Sequence, residues 1–210
     1  MKRVIKKKLV WKRIRESLKG KRDDEKFGKA RERIADLERR RENGETDVCY
    51  FDESGFSPVP CVPYAWQPKG EHIEVPSATG PRLDVLAFMN KDNQFRPFIF
   101  GGGGTDADVV TACFDHFAGT VSKKTFVLGD NSPVHKSKKF LSCLPGWHKK
   151  GLNMKFPPKY SPEPNLIEIL WKKIKYEWLP FSAYISFAKL TEWVEAILLN
   201  LGSQYTIDFI

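Results

Sequence analysis

The sequence predicts an α/β domain, a mixed β-sheet covered by helices, preceded by a basic helical arm. Three observations carry that expectation. Short apolar runs rich in strand formers come first, between residues 47 and 100. Strand and helix patterns then alternate to the end of the chain, and strands followed by such alternation imply both antiparallel hairpins and parallel crossovers. The charge is also split: of the net +9, residues 1–41 hold 18 Lys+Arg against 7 Asp+Glu, which leaves the rest of the chain at −2.

Taken in order, residues 1–44 form the arm and 45–210 the globular domain. From Asp23 to Arg41, Phe27, Ala30, Ile34 and Leu37 recur at helical spacing among charges, which predicts an exposed helix with a narrow packing stripe, ended by "NGET". "DVCYFDES" reads as a strand, followed by Pro-rich loop sequence through Pro63. "HIEVP", "RLDVLAFM" and "FRPFIF" are further strand candidates, the last two joined by the turn-like "NKDN". "GGGG" lacks the GK[ST] ending of a P-loop and reads as a strand-to-helix turn. Thr105 and Asp108 then have capping-box spacing, and Val109, Cys113 and Phe117 share one helical face. Strand "TFVLGD", a short helix after "NSPVHKS", strand "LNMKF", a helix from Asn165 and a last helix near Phe187 to Leu201 complete the chain.

Composition narrows the class. At 210 residues and 41% hydrophobic, the chain can bury a sizeable core. No apolar run approaches the roughly 18–20 residues needed to span a bilayer, and the lysine-rich start lacks a secretory signal, so a cytoplasmic protein without a membrane partner is expected. Cys49, Cys61, Cys113 and Cys143 lack zinc-site spacing and read as reduced thiols. Lys6, Lys7, Lys8, Lys12, Arg13, Arg15, Lys19, Lys21 and Arg22 are candidates for neutralising DNA phosphates in a sequence-independent, salt-sensitive way. A solvated helix explains the same charge.

Three acids stand out. Asp52 and Asp130 end apolar strand patterns, where ligands gather in sheets with parallel strands, although Asp at a strand end also begins turns. Glu53 competes with Asp52, since neighbours on a strand point to opposite faces. Glu168 borders the apolar sector formed by Ile167, Leu170, Trp171, Ile174 and Trp178, and it also stands three residues after Asn165, at capping-box spacing. Three converging carboxylates would repel one another without cations, and hard divalent ions prefer such oxygen ligands. The tryptophans Trp171, Trp178 and Trp193 read as packing anchors.

"YFDESGF", "VLGDNSPVHKSK" and "FPPKYSPEPNLIEILWKKIK" resemble, in order and spacing, the catalytic core of mariner-like DDE transposases of bacterial insertion sequences, with support from "AWQPKG" and "NLGSQYTIDF". The resemblance covers residues 47–210. It implies an RNase H-like mixed five-stranded sheet flanked by helices, with Asp52, Asp130 and Glu168 as catalytic and metal-binding acids, and it selects Asp52 over Glu53. It implies two Mg²⁺ or Mn²⁺ ions, cleavage of double-stranded DNA at transposon ends, strand transfer into target DNA and a homodimer on DNA. Asn131 and His135 match recurrent positions and are expected to support the site. Pro164 here precedes Asn165, so the helix lacks the N1 proline usual in the family. The arm offers only the end of the paired helix-turn-helix region of such enzymes, so a separate DNA-binding subunit or an upstream reading frame is expected to supply it. The alternatives are a noncatalytic truncated transposase that binds DNA or forms dimers, and a related RNase H-like nuclease.

Overall fold

In the computed structural model, residues 20, 23–61, 68–72, 74, 80–158 and 165–209 are described. The nine basic residues proposed for DNA contact, Lys6 to Arg22, lie outside them, as does Pro164.

The first helix, α1, spans Asp24–Glu42. Asp23 caps it by accepting from the Lys26 amide, and Asp24 and Glu25 in the first turn with Arg39, Arg40 and Arg41 in the last complement the helix dipole. Only Leu37 and Glu38 are buried, which matches the narrow stripe.

Strands β1 (Asp47–Phe56), β2 (Leu83–Met89) and β3 (Phe95–Gly101) form an antiparallel meander. The β2–β3 turn is set by Asn90, whose side-chain oxygen accepts from the Asp92 and Gln94 amides, and by Asn93 at φ 59°. After β3, Gly102, Gly103 and Gly104 all have positive φ, a path that only glycine follows readily, so "GGGG" is a turn. Helix α2 (Ala107–Ala118) follows. Its cap is Asp106, which accepts from the Asp108 and Val109 amides, and not Thr105, whose hydroxyl is buried without a hydrogen-bond partner among the described residues. The cap lies one residue after the expected Thr105, because Asp106 is the residue with extended backbone before the first turn.

Next come β4 (Thr125–Leu128), a single 3₁₀ turn (Pro133–Lys136), α3 (Lys138–Lys149) and β5 (Leu152–Lys155). Helix α4 (Ile167–Lys173) runs on through a π turn (Ile174–Trp178) and a 3₁₀ turn (Phe181–Ile185) to α5 (Phe187–Leu199).

The sheet has five strands in the order β3-β2-β1-β4-β5, with β1, β4 and β5 parallel. Of the further candidate "HIEVP", the described His72 and Glu74 belong to no strand, and the rest lies outside the described residues.

Strand alternation divides the core into two layers. Val48, Tyr50, Val85, Ala87, Met89 and Leu128 pack with Ile167, Leu170, Trp171 and Ile174 and with Leu190, Val194 and Ile197 of α5. On the other face Phe51, Leu86, Phe88 and Val127 pack with Val110, Phe114, Phe117, Phe140 and Trp147 of α2 and α3. Every residue of β2 is buried, as a strand covered on both faces requires. Helix α5 packs on the sheet, as its apolar stripe predicts.

A polar joint holds α1 to the sheet. The buried Glu38 carboxylate accepts from the Tyr50 hydroxyl at 2.6 Å and from Arg41 Nε at 2.9 Å, and Arg41 reaches Asp92 at 2.7 Å. Burial first, and then the Glu38 bond, push the Tyr50 phenol well above its usual range. No helix among the described residues is long and apolar enough to cross a membrane. All four cysteines are free, with Cys61 exposed and the other three half-buried or buried.

Candidate active site

The register of two strands builds the site. In the parallel pair β1–β4, Tyr50 lies opposite Leu128, so Asp52 and Asp130 each stand two residues beyond the last matched pair. Asp52 continues the face of Tyr50, which is the face covered by α4. Asp130 lies past the end of β4, and its carboxylate reaches His135, packed against Phe51, Phe114 and Phe140 of the other layer. Glu53 points to the opposite face, where Arg82 reaches it at 3.5 Å. Backbone alternation therefore makes between Asp52 and Glu53 the choice that periodicity in the sequence leaves open.

Gly129 lets the chain pass between Leu128 and Asp130. A Cβ there would stand 2.5 Å from the Met154 methyl and 3.9 Å from His135 Nε2.

Asp130 leaves β4 into a tight turn. Its Oδ1 accepts from the Ser132 amide at 3.0 Å and lies 3.3 Å from His135 Nε2. Burial pushes this carboxyl up, but the bonds from His135 and the Ser132 amide outweigh it and hold the group below the usual range. His135 is itself only 4% exposed, ringed by Phe51, Phe114, Phe140 and Phe156, with its Nδ1 lacking a hydrogen-bond partner among the described residues. It is a buried part of the 3₁₀ turn that follows Asp130. Asn131 donates to the Pro157 carbonyl and so ties the turn to the end of β5.

Glu168 is half-buried in the first turn of α4. The Asn165 side-chain oxygen does not cap the helix: it has no hydrogen-bond partner among the described residues. The cap position is Leu166, without a side-chain bond, while the buried Asn165 amide instead donates to the Phe51 carbonyl on β1 at 3.1 Å. One turn beyond Glu168, the Trp171 indole N–H donates to Asp52 Oδ2 at 3.2 Å. Sequence reasoning placed Trp171 in the core and missed this bond. The signal was present, since a buried indole N–H needs an acceptor and Trp171 follows Glu168 by one turn.

The three acids sense one another. Burial first, then the negative charges of Asp130 and Glu168, push the Asp52 carboxyl from 3.8 up to about 7. Lys175, further along the same helical run, has its ammonium 5.1 Å from the Phe56 ring centre, and burial pulls it below its usual range. Among the described residues no three His, Cys, Asp or Glu side chains stand in a closed metal-binding group. The donor set still fits a hard divalent ion: all oxygens, mutually repelling, at one rim of the sheet.

The chain belongs to the DDE superfamily endonuclease family, whose pattern it matches over residues 47–191. Its fold is similar to that of a Mos1 transposase paired-end complex with the left transposon end (TM-score 0.62, 13% identity, covering 99% of this chain and 63% of that one). A Mos1 paired-end complex with Mg is similar to the same degree (TM-score 0.62, 13% identity, 93% and 61% covered). The catalytic domain of Mos1 mariner transposase alone matches with TM-score 0.55 at 10% identity, over 91% of this chain and 85% of that one. The chain spans less than two thirds of the length of the two paired-end chains. No curated protein matches its sequence.

Proposed function

We propose that this chain is the catalytic part of a mariner-like transposase, cutting DNA at transposon ends and joining the freed ends to target DNA. One observation carries the reading: Asp52 and Asp130 follow the last matched pair of β1 and β4 at one rim of the sheet, close enough to Glu168 that both other acids act on Asp52. Asp52, Asp130 and Glu168 would hold the divalent ions, Mg²⁺ or Mn²⁺, two in number. When bound, such ions activate the attacking oxygen and stabilise the leaving one in phosphodiester displacement.

The protein's own groups prepare this state. His135 and the Ser132 amide keep Asp130 ionised, while Trp171 orients Asp52 and favours its carboxylate form. Double-stranded DNA is the substrate, engaged by two copies of the chain, with Lys6 to Arg22 on phosphates; the paired-end Mos1 complexes support this by analogy. Asn131 and His135 support the second acid without replacing it.

A nicking assay on supercoiled DNA with Mg²⁺ tests the reading. Asp52→Asn, Asp130→Asn and Glu168→Gln should each abolish cleavage while leaving DNA binding intact. Undiminished cleavage by Asp130→Asn rejects the mechanism, and DNA binding without metal-dependent cleavage by the unaltered chain favours a noncatalytic protein.

A further inference from the structure

Helix α4 is tied to the end of β1 at two points on either side of Glu168. Asn165, three residues before, donates to the Phe51 carbonyl at 3.1 Å, and Trp171, three residues after, donates to Asp52 Oδ2 at 3.2 Å. Glu168 lies midway in the sequence between the two ties, one just before the helix and one within it. Asn165 is 5% exposed and Trp171 5% exposed, so neither bond competes freely with water. Phe51 and Asp52 are adjacent on one strand, so both ties end on the segment that carries the first acid.

The need for such ties follows from the helix start. The cap position Leu166 makes no side-chain bond, and α4 itself is only seven residues long before its π turn. A short, poorly capped helix does not fix its own first turn. Two carboxylates of like charge, Asp52 and Glu168, also push this turn away from β1.

We propose that Asn165 and Trp171 are positioning residues that hold the Asp52 and Glu168 carboxylates at a set separation before metal arrives. The proposal rests on the catalytic reading of the three acids. Neither residue touches the reacting atoms. Their work is preorganisation: without them a cation must draw the two acids together against their repulsion, and part of its binding free energy is lost.

The test measures Mn²⁺ alone binding to the full chain by calorimetry, alongside DNA cleavage at low and saturating Mn²⁺. Trp171→Phe keeps an aromatic ring against Phe56 and Phe95 and removes the N–H together with the five-membered ring that carries it. Asn165→Ala removes the other donor, and Asn165→Asp sets a carboxylate against the Phe51 carbonyl. Trp171→Phe and Asn165→Ala should each weaken Mn²⁺ binding about tenfold, with Asn165→Asp weaker still. Each should lower kcat at limiting Mn²⁺, leave KM for DNA unchanged, and recover kcat at saturating Mn²⁺.

Unchanged Mn²⁺ affinity in the variants overturns the proposal. So does a kcat deficit that excess Mn²⁺ does not restore, because a merely structural defect behaves that way. If Trp171→Phe does not fold, the Asn165 variants decide alone, since they keep the indole. Asp52→Asn separates the two readings: if it binds Mn²⁺ and cleaves like the unaltered chain, the catalytic assignment fails rather than the ties.

Discussion

Asp52 and Asp130 are the same residue type, each two residues past the last matched pair of β1 and β4, yet their environments push them apart. Asp52 faces α4, is deprived of water and feels two other carboxylates, so its pKa rises to about 7. Asp130 is also raised by burial, but it receives His135 and a backbone amide and ends below the usual range. The sign of the consequence differs. A raised carboxyl binds its proton more tightly in the folded state, so its stabilising contribution is complete below 3.8 and is lost as pH rises through about 7. In the metal-free protein, Asp52→Asn should therefore be more stable than the parent at pH 8 by roughly 1–3 kcal/mol, the gain fading toward pH 4. Urea unfolding at several pH values checks this. Asp130 behaves oppositely: its contribution is present above the unfolded carboxylate pKa and lost as pH falls through its depressed value. Removing His135 as His135→Ala should shift the loss of stability in acid toward higher pH.

At the scale of elements, the joint between α1 and the sheet contrasts with the solvated helix that the charge pattern suggests. Glu38 belongs to the charged sequence but is buried against Tyr50, with Arg41 and Lys91 as partners. Removing one partner of a buried pair leaves a charge with too few bonds, which costs more than any surface pair contributes. Arg41→Ala should destabilise the protein by about 3 kcal/mol, seen as a lower urea midpoint with an unchanged m-value. Helix α4 shows the same principle from another side. The pattern of Asn165 and Glu168 fits a capping box, but the tertiary fold turns the Asn165 amide so that Nδ2 donates to the Phe51 carbonyl and Oδ1 is left without a hydrogen-bond partner among the described residues.

At the scale of the whole molecule, the proposed metal site predicts that the folded state binds a divalent ion better than the unfolded chain does. Mg²⁺ or Mn²⁺ should raise the melting temperature, with about 2.7 kcal/mol of added stability at a concentration one hundred times Kd. Thermal scans with and without metal check it, and Asp52→Asn should abolish the shift. The charge asymmetry gives a second expectation. Deleting residues 1–22 should flatten the dependence of log K for DNA on log salt, measured by anisotropy, because in the proposed reading the cations removed there are those that release counterions.

The sequence by itself determined most of the elements and offered the three acids as candidates. Val48–Phe51, Phe126–Leu128 and the α4 stripe are patterns of period two or 3.6, and a period is a local property that survives without knowledge of the fold. The charge division and the glycine turn were equally legible. Only the tertiary structure decided between Asp52 and Glu53 on geometric grounds, moved the α2 cap to Asp106, sent Asn165 to β1, buried His135 in a ring of phenylalanines and joined Trp171 to Asp52. Each of these depends on which distant backbone or carboxylate lies within about 3 Å, and a hydrogen-bond partner far away in the chain leaves no periodic trace in the sequence. The strand register turns two separated motifs into one rim, and that register follows from how the whole sheet packs its two faces.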